Sequence, residues 1–320
     1  MPASDNTLGT LAATGVLHDA LGITLKRLPF LSRLASDIAP AMAEKMMPFN
    51  VAQILKNYNA TQTVSDRSST GTYAVQTGQT LPADQTLTLN KWPYVSLKLS
   101  ATEINQIVDT YSNKDARALA VQKLLRRGFN AFATNIVTDF LAVVTAANFP
   151  QYYHSAVGTF GFNKLGAVVD VLLKNDALTE APDAILEIDC FREFANTLTA
   201  VPNASYSIDE VMRTAQISEG VSGAASVSRY NVTMPAFAER GVVFDPQAIV
   251  FAQRVPVEEK LSNDPVFLEV VTDPATGFSV LYREAKDPLT GEVTRTITDL
   301  HGFAKGLSNH LVRIRDTESS

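Results

Sequence analysis

The longest regular pattern in the chain runs from Asp115 to Ala147. Val121, Leu125, Phe129, Phe132, Ile136, Phe140 and Val144 recur every three or four residues, which puts them on one face of a helix. Such a helix is about 50 Å long at 1.5 Å per residue. Asn148-Phe149-Pro150 follows it, and proline has no N–H with which to continue the ladder. A second helical stripe, Leu21, Leu25, Leu28, Leu31 and Leu34, is interrupted by Pro29 and followed by Pro40 and Pro48. Residues 1–48 are therefore apolar enough to pack on something and too broken to form a core. They read as an N-terminal arm that docks on neighbouring structure.

Between these stripes the pattern changes. Val51 to Tyr58 reads as a strand or short helix leading outward, and residues 61–86 are Thr, Ser, Gln, Asp and Gly with few aliphatic side chains. The return to Leu99 alternates apolar and polar through Val95, Leu97 and Leu99, the period of a half-buried strand. A structureless loop of that length inside a compact domain is improbable. Residues 49–98 are thus predicted to be an extended two-stranded loop, reaching roughly 50 Å at ~3.3 Å per residue. Trp92-Pro93-Tyr94 at its foot reads as an aromatic anchor. Ser100-Ala-Thr-Glu103, followed by Ile104 and Ile107, is a capping box that opens a helix.

Residues 161–249 read as a separate α/β unit. It holds a helix over Leu165–Leu173, a buried strand over Ala184–Ile188 and a helix over Phe191–Leu198. Ser207-Ile-Asp-Glu210 resembles another capping box, opening a helix through Met212, and apolar strands lie at Val242–Phe244 and Ala248–Ala252. In the tail, Asp273-Pro-Ala-Thr-Gly277 and Asp287-Pro-Leu-Thr-Gly291 are one turn written twice. Each supplies an Asp to hold the backbone, a Pro with preset φ and a Gly for a left-handed exit. The runs Val266–Thr272, Phe278–Lys286 and Val293–Thr298 around them predict a three-stranded antiparallel meander.

Composition narrows the chemistry. The chain has 320 residues, 46% hydrophobic and 19% charged, which is a folded protein long enough for two domains. A net charge of −6 and a pI near 5.3 leave any nucleic-acid contact weak and local. Lys114, Arg117, Lys123, Arg126 and Arg127 crowd the start of the long helix and read as a solvated face, with a basic strip facing DNA as the alternative. The single cysteine, Cys190, lies in an apolar run; it excludes an intrachain disulfide and reads as a buried, inert thiol. His18, His154, His301 and His310 are scattered, without metal-ligand spacing. No run approaches the ~20 apolar residues of a membrane span. The first residues lack the basic, apolar pattern of a secretory signal, which predicts synthesis and use in a cytoplasm. The sequons at Asn59, Asn203 and Asn231 carry no weight without secretion.

No GxGxxG, P-loop lysine motif, GxSxG elbow or HExxH helix occurs. Glu258-Glu259 and the group Asp183, Glu187, Asp189 read as surface acids. No residue is assigned a catalytic, cofactor-binding or metal-binding role, no cofactor is called for, and the chain is expected not to be an enzyme.

The order of these parts resembles the major capsid (coat) protein family of tailed bacteriophages, whose fold is shared with herpesvirus capsid floors and encapsulins. Leu89-Asn-Lys-Trp-Pro-Tyr-Val-Ser-Leu-Lys-Leu-Ser-Ala-Thr-Glu-Ile104 is similar to that family's return strand and helix start. Phe244-Asp-Pro-Gln-Ala-Ile-Val-Phe-Ala-Gln-Arg254 resembles the exit from its axial domain, and Thr276-Gly-Phe-Ser279 is also similar to it. The resemblance implies an α+β fold with an arm (1–48), an extended loop (49–98) and a peripheral domain with a spine helix (99–160). An axial domain (161–249) and a return to the peripheral domain (250–320) follow. It implies a virion subunit assembled in a host cytoplasm, forming hexamers and pentamers of an icosahedral capsid around double-stranded DNA. Portal, scaffolding and decoration proteins would be partners, and no membrane. An encapsulin-type shell and a soluble α/β enzyme are the alternatives; the interrupted arm favours the phage reading over the first.

Some members of that family lock their shells by joining a loop lysine to a neighbour's asparagine. The amine must shed its proton in an apolar pocket to react. Residues 57–90 contain no lysine, Lys56 and Lys91 stand at the base of the loop, and the guanidinium of Arg67 stays protonated. Particles of this chain are therefore expected to be held by non-covalent interfaces of about 2,000–5,000 Å². Boiled in detergent, they should run as one band near 34.6 kDa; a ladder of covalent oligomers contradicts this.

Overall fold

The computed structural model describes residues 52–55, 85–99, 114–174, 181–198, 216–217, 223–224, 226–229, 239–255, 267–272, 278–286 and 292–316, with Thr102, Gln106 and Leu289 besides. In chain order the strands begin with β1 (Ala52–Leu55), β2 (Gln85–Thr88) and β3 (Tyr94–Leu99), followed by helix α1 (Lys114–Val143). Then come β4 (Tyr152–His154), α2 (Phe162–Lys174), β5 (Asp183–Leu186), α3 (Ile188–Thr197), β6 (Gln216–Ile217) and β7 (Ser226–Arg229). The last strands are β8 (Glu239–Phe244), β9 (Ile249–Arg254), β10 (Phe267–Thr272), β11 (Ser279–Lys286), β12 (Val293–Thr298), β13 (Leu300–Lys305) and β14 (Leu311–Arg315).

Helix α1 buries the stripe its periodicity marks. Leu125, Phe129, Phe132, Ile136 and Phe140 are all within 2% of complete burial, while Lys123 and Arg127 on the other side are exposed. It ends four residues earlier than the pattern predicts. The Asn148 side-chain amide donates to the Val143 carbonyl at 2.7 Å, the acceptor that a continuing helix would offer to the Ala147 N–H. The helix lies against a four-stranded antiparallel sheet of order β10-β11-β12-β3. Gly128 lets the two approach: a Cβ there would sit 3.1 Å from Leu97 and 3.2 Å from Ile297.

The meander forms as expected, with Val271 opposite Val280 and Ile297 opposite Tyr282. The paired residues Thr272 and Ser279 flank the first Asp-Pro segment. Strand β3 adds to it, with Val95 opposite Ile297, so residues 94–99 complete this sheet rather than the projecting loop. The loop's own strands are β1 and β2, antiparallel, with Ala52 opposite Thr88 and Leu55 opposite Gln85.

A six-stranded mixed sheet of order β4-β14-β8-β5-β7-β6 forms the second layer. It draws strands from residues 152–154 and 311–315 as well as from the expected 161–249 unit. Its side chains sort by alternation. Ile185, Val242, Phe244 and Leu311 join the core under α1, whereas Ala184, Leu186, Val243, Val312 and Ile314 join a second core with α2 and α3. The α2 residues in that core are Leu165, Val168, Val169 and Leu172, and α3 contributes Cys190, Phe191, Phe194 and Ala195. The strand predicted to reach Ile188 ends at Leu186; Ile188 starts α3 and is 37% exposed.

Several expectations lie outside the described residues. These are the arm (1–48), the loop tip (56–84), the capping boxes at Ser100 and Ser207, most of both Asp-Pro turns, Glu258-Glu259, the three sequons and His18.

Truncating Phe132 or Ile136 to alanine should cost about 2–5 kcal/mol of folding stability, because each leaves a cavity in a closed core. Lys123→Ala, on the exposed face, should stay within ~0.5 kcal/mol. Urea unfolding of the three variants checks both.

Candidate functional site

Among the described residues no group of three or more His, Cys, Asp or Glu is arranged to hold a metal ion. Within the same residues no helix is long and apolar enough to cross a membrane. Polar chemistry is concentrated instead in buried clusters, each joining distant segments.

The most enclosed lies on the α1 side of the four-stranded sheet. Arg295 Nε donates to Glu284 Oε1 at 2.9 Å, and Tyr282 Oη donates to the same oxygen at 2.7 Å. All three residues are completely buried. Burial, the Glu284 charge and the hydrogen bond to it push the Tyr282 phenol up, so it acts as a donor and not as an ionising group.

A second cluster ties α3 to the loop before α2. Glu193 accepts from the Gly158 N–H at 2.6 Å, the Phe160 N–H at 3.0 Å and Arg240 Nη2 at 2.5 Å. Arg240 also donates to the carbonyls of Ser155 and Ala156 at 3.2 and 2.9 Å. Burial would raise the Glu193 pKa, but Arg240 and the two backbone donors outweigh it and hold the carboxyl below its ordinary range.

At the sheet's other strands Arg313 pairs with Glu239, and His310 Nδ1 lies 3.2 Å from Asp245 Oδ1. His154 meets the Asp316 carbonyl at 3.0 Å. His301 sits between Asp139 and Asp299. The described histidines thus have carboxylate or carbonyl partners, His301 and His310 buried and His154 exposed.

One sequence reading is corrected. Asp183 is not a surface acid; it is 1% exposed and accepts from Ser226 Oγ at 2.6 Å, since β5 is covered on both faces. Glu187 is half-buried and Asp189 exposed. The aromatic foot of the loop is only partly covered, although the Pro93 carbonyl accepts from Thr298 Oγ1 at 2.9 Å. Tyr94 is 71% and Trp92 37% exposed, because alternation along β3 turns Val95 and Leu97 toward α1 and Tyr94 away from it. Cys190 is fully buried, and desolvation pushes its thiol up to about 12, so it is inert at neutral pH.

What the chain does present is surface. The face of the four-stranded sheet turned from α1 carries Tyr94, Leu268 and Val270, the two aliphatic side chains about half exposed. Thr296 and Arg283 lie between Ser96 and Leu268 across the strands. This face thus mixes aliphatic, aromatic and hydroxyl groups with the charged Arg283. The signal for it in the sequence was the alternation of β3 and β10, readable only once their partners are known.

No family model matches the chain, and no curated protein matches it. Solved structures do. The Cyanophage A-1(L) capsid asymmetric unit superposes with a TM-score of 0.57 at 12% identity, covering 92% of this chain and 94% of that one. A Mycobacterium phage Che8 chain gives 0.50 at 12% identity over 91% and 92%. The virus-like particle from Pyrococcus furiosus, at 0.46 and 10% identity over 94% and 98%, is too distant to bear on the assignment. The fold is that of the cyanophage capsid chain on which it superposes, an α+β architecture.

Glu284→Ala should destabilise the fold by about 3–5 kcal/mol, because it leaves the Arg295 guanidinium buried without its carboxylate. The double change Glu284→Met with Arg295→Leu should recover most of that loss. Guanidinium denaturation of the two variants measures both.

Proposed function

We propose that the chain is the structural subunit of an icosahedral phage capsid, assembling as hexamers and pentamers around double-stranded DNA. The observation that carries this is superposition on a cyanophage capsid subunit over more than nine-tenths of both chains. That leaves little of this chain outside the shared architecture. The buried clusters agree with it, since they tie distant segments of the chain together. The division into arm, extended loop, peripheral and axial domains belongs to the same reading, as do portal, scaffolding and decoration partners and assembly in a host cytoplasm. With a net charge of −6, the interior contact with DNA is weak and non-specific.

Negative-stain imaging and sizing chromatography test the reading. Closed particles or capsomers support it, and a monomer with a preformed small-molecule pocket refutes it. Deleting residues 64–84 should spare the fold, seen as an unchanged thermal transition, and abolish closed particles. A deletion variant that still forms shells would show that the loop is not the inter-subunit element.

A further inference from the structure

Lys91 is where the β1–β2 pair rejoins the body, and it is held three ways. Its N–H and C=O exchange hydrogen bonds with His301 at 3.0 and 2.9 Å, an isolated antiparallel bridge. Its ammonium lies 3.1 Å from Asp139 Oδ1 on α1. Leu89, two residues earlier, is buried with Val250, Ala252 and Leu300. Asp139 is shared: its Oδ2 lies 3.2 Å from His301 Nε2. The other ring nitrogen, Nδ1, is 3.1 and 3.0 Å from the two oxygens of Asp299, and Gln253 Nε2 donates to one of them at 3.2 Å. The ring is fully buried beside Phe251 and Phe303.

A neutral imidazole has one N–H and one lone pair. Here both nitrogens face carboxylates, so a neutral ring would aim its lone pair at a negative oxygen. Only the imidazolium satisfies both sides. Among the described residues the charged groups around it are Asp139 from α1, Asp299 from the β12–β13 link and, behind Asp139, Lys91; Gln253 from β9 is the polar one. With both carboxylates ionised two cations balance two anions; burial raises the Asp299 pKa against the pull of His301 and Gln253, so its ionisation leans on the imidazolium it faces.

We propose that Lys91, Asp139, His301 and Asp299 form an ionic latch that fixes the root of the β1–β2 pair to the C-terminal part of α1, closed while His301 carries its proton. Burial pulls the His301 pKa down, but its bonds to Asp139 and Asp299 more than reverse this and raise it from 6.5 to about 9. A raised histidine contributes its full stabilisation below its unfolded value and loses it as pH climbs through about 9. Burial raises the Asp139 pKa, but His301 and Lys91 outweigh it and lower the carboxyl, so its share is lost only in acid, below pH about 4. The latch is therefore shut across the neutral range and opens in alkali.

The chain carries its own reporter, since its one tryptophan is Trp92. Acrylamide quenching of Trp92 emission should rise in the wild-type chain with a midpoint near pH 9, while far-UV circular dichroism stays constant. Lys91→Met, at a half-exposed position, should show the high quenching level from pH 6.5 upward, and His301→Gln should lose the pH transition. Quenching that is flat to pH 10, a transition that persists in His301→Gln, or one that coincides with global unfolding would overturn the proposal. So would a Lys91→Met chain indistinguishable from wild type, which also covers failure of His301→Gln to fold. None of these outcomes depends on whether the chain builds shells.

Discussion

The structure depends on one sheet being covered on both faces. Along β8, Val242 and Phe244 point into the core under α1 while Val243 points into the core with α2 and α3. Unpaired charge is costly on either side of a strand so placed. The polar residues it does carry, Glu239 and Arg240, are accordingly paired with Arg313 and Glu193. Those pairs bring in β14 and α3, so neutralising the central strand also fixes its neighbours. A change of register by one residue would exchange the two cores and strand both charges.

Elements whose environment is set locally were legible in the sequence. The stripe from Leu125 to Phe140 and the meander from Phe267 to Thr298 depend on side-chain spacing along one segment, and spacing survives in the sequence. What was not legible arises where distant segments close on each other. Asp139 and His301 are 162 positions apart and Glu193 and Arg240 are 47, and nothing along the chain marks them as partners. The same holds for β14 joining a sheet begun at β4, and for Asp183, whose burial follows from a sheet covered twice. The exposure of Tyr94 was not legible because an aromatic side chain carries no label for which face of a strand it will occupy.

Matching architecture at 12% identity fits this division. Patterning and volume specify a fold far more than residue identity does. The ion pairs are one way in which this sequence meets the demands of the pattern.

Cys190 has a consequence outside folding. It is the chain's one sulfhydryl, and it is sealed beneath α3 with its proton held to about 12. Thiolate is the species that exchanges with disulfides or is oxidised, and the folded chain offers none. Passage between a reducing interior and an oxidising exterior is then chemically silent for this protein, with no bond to form and no mixed adduct to resolve.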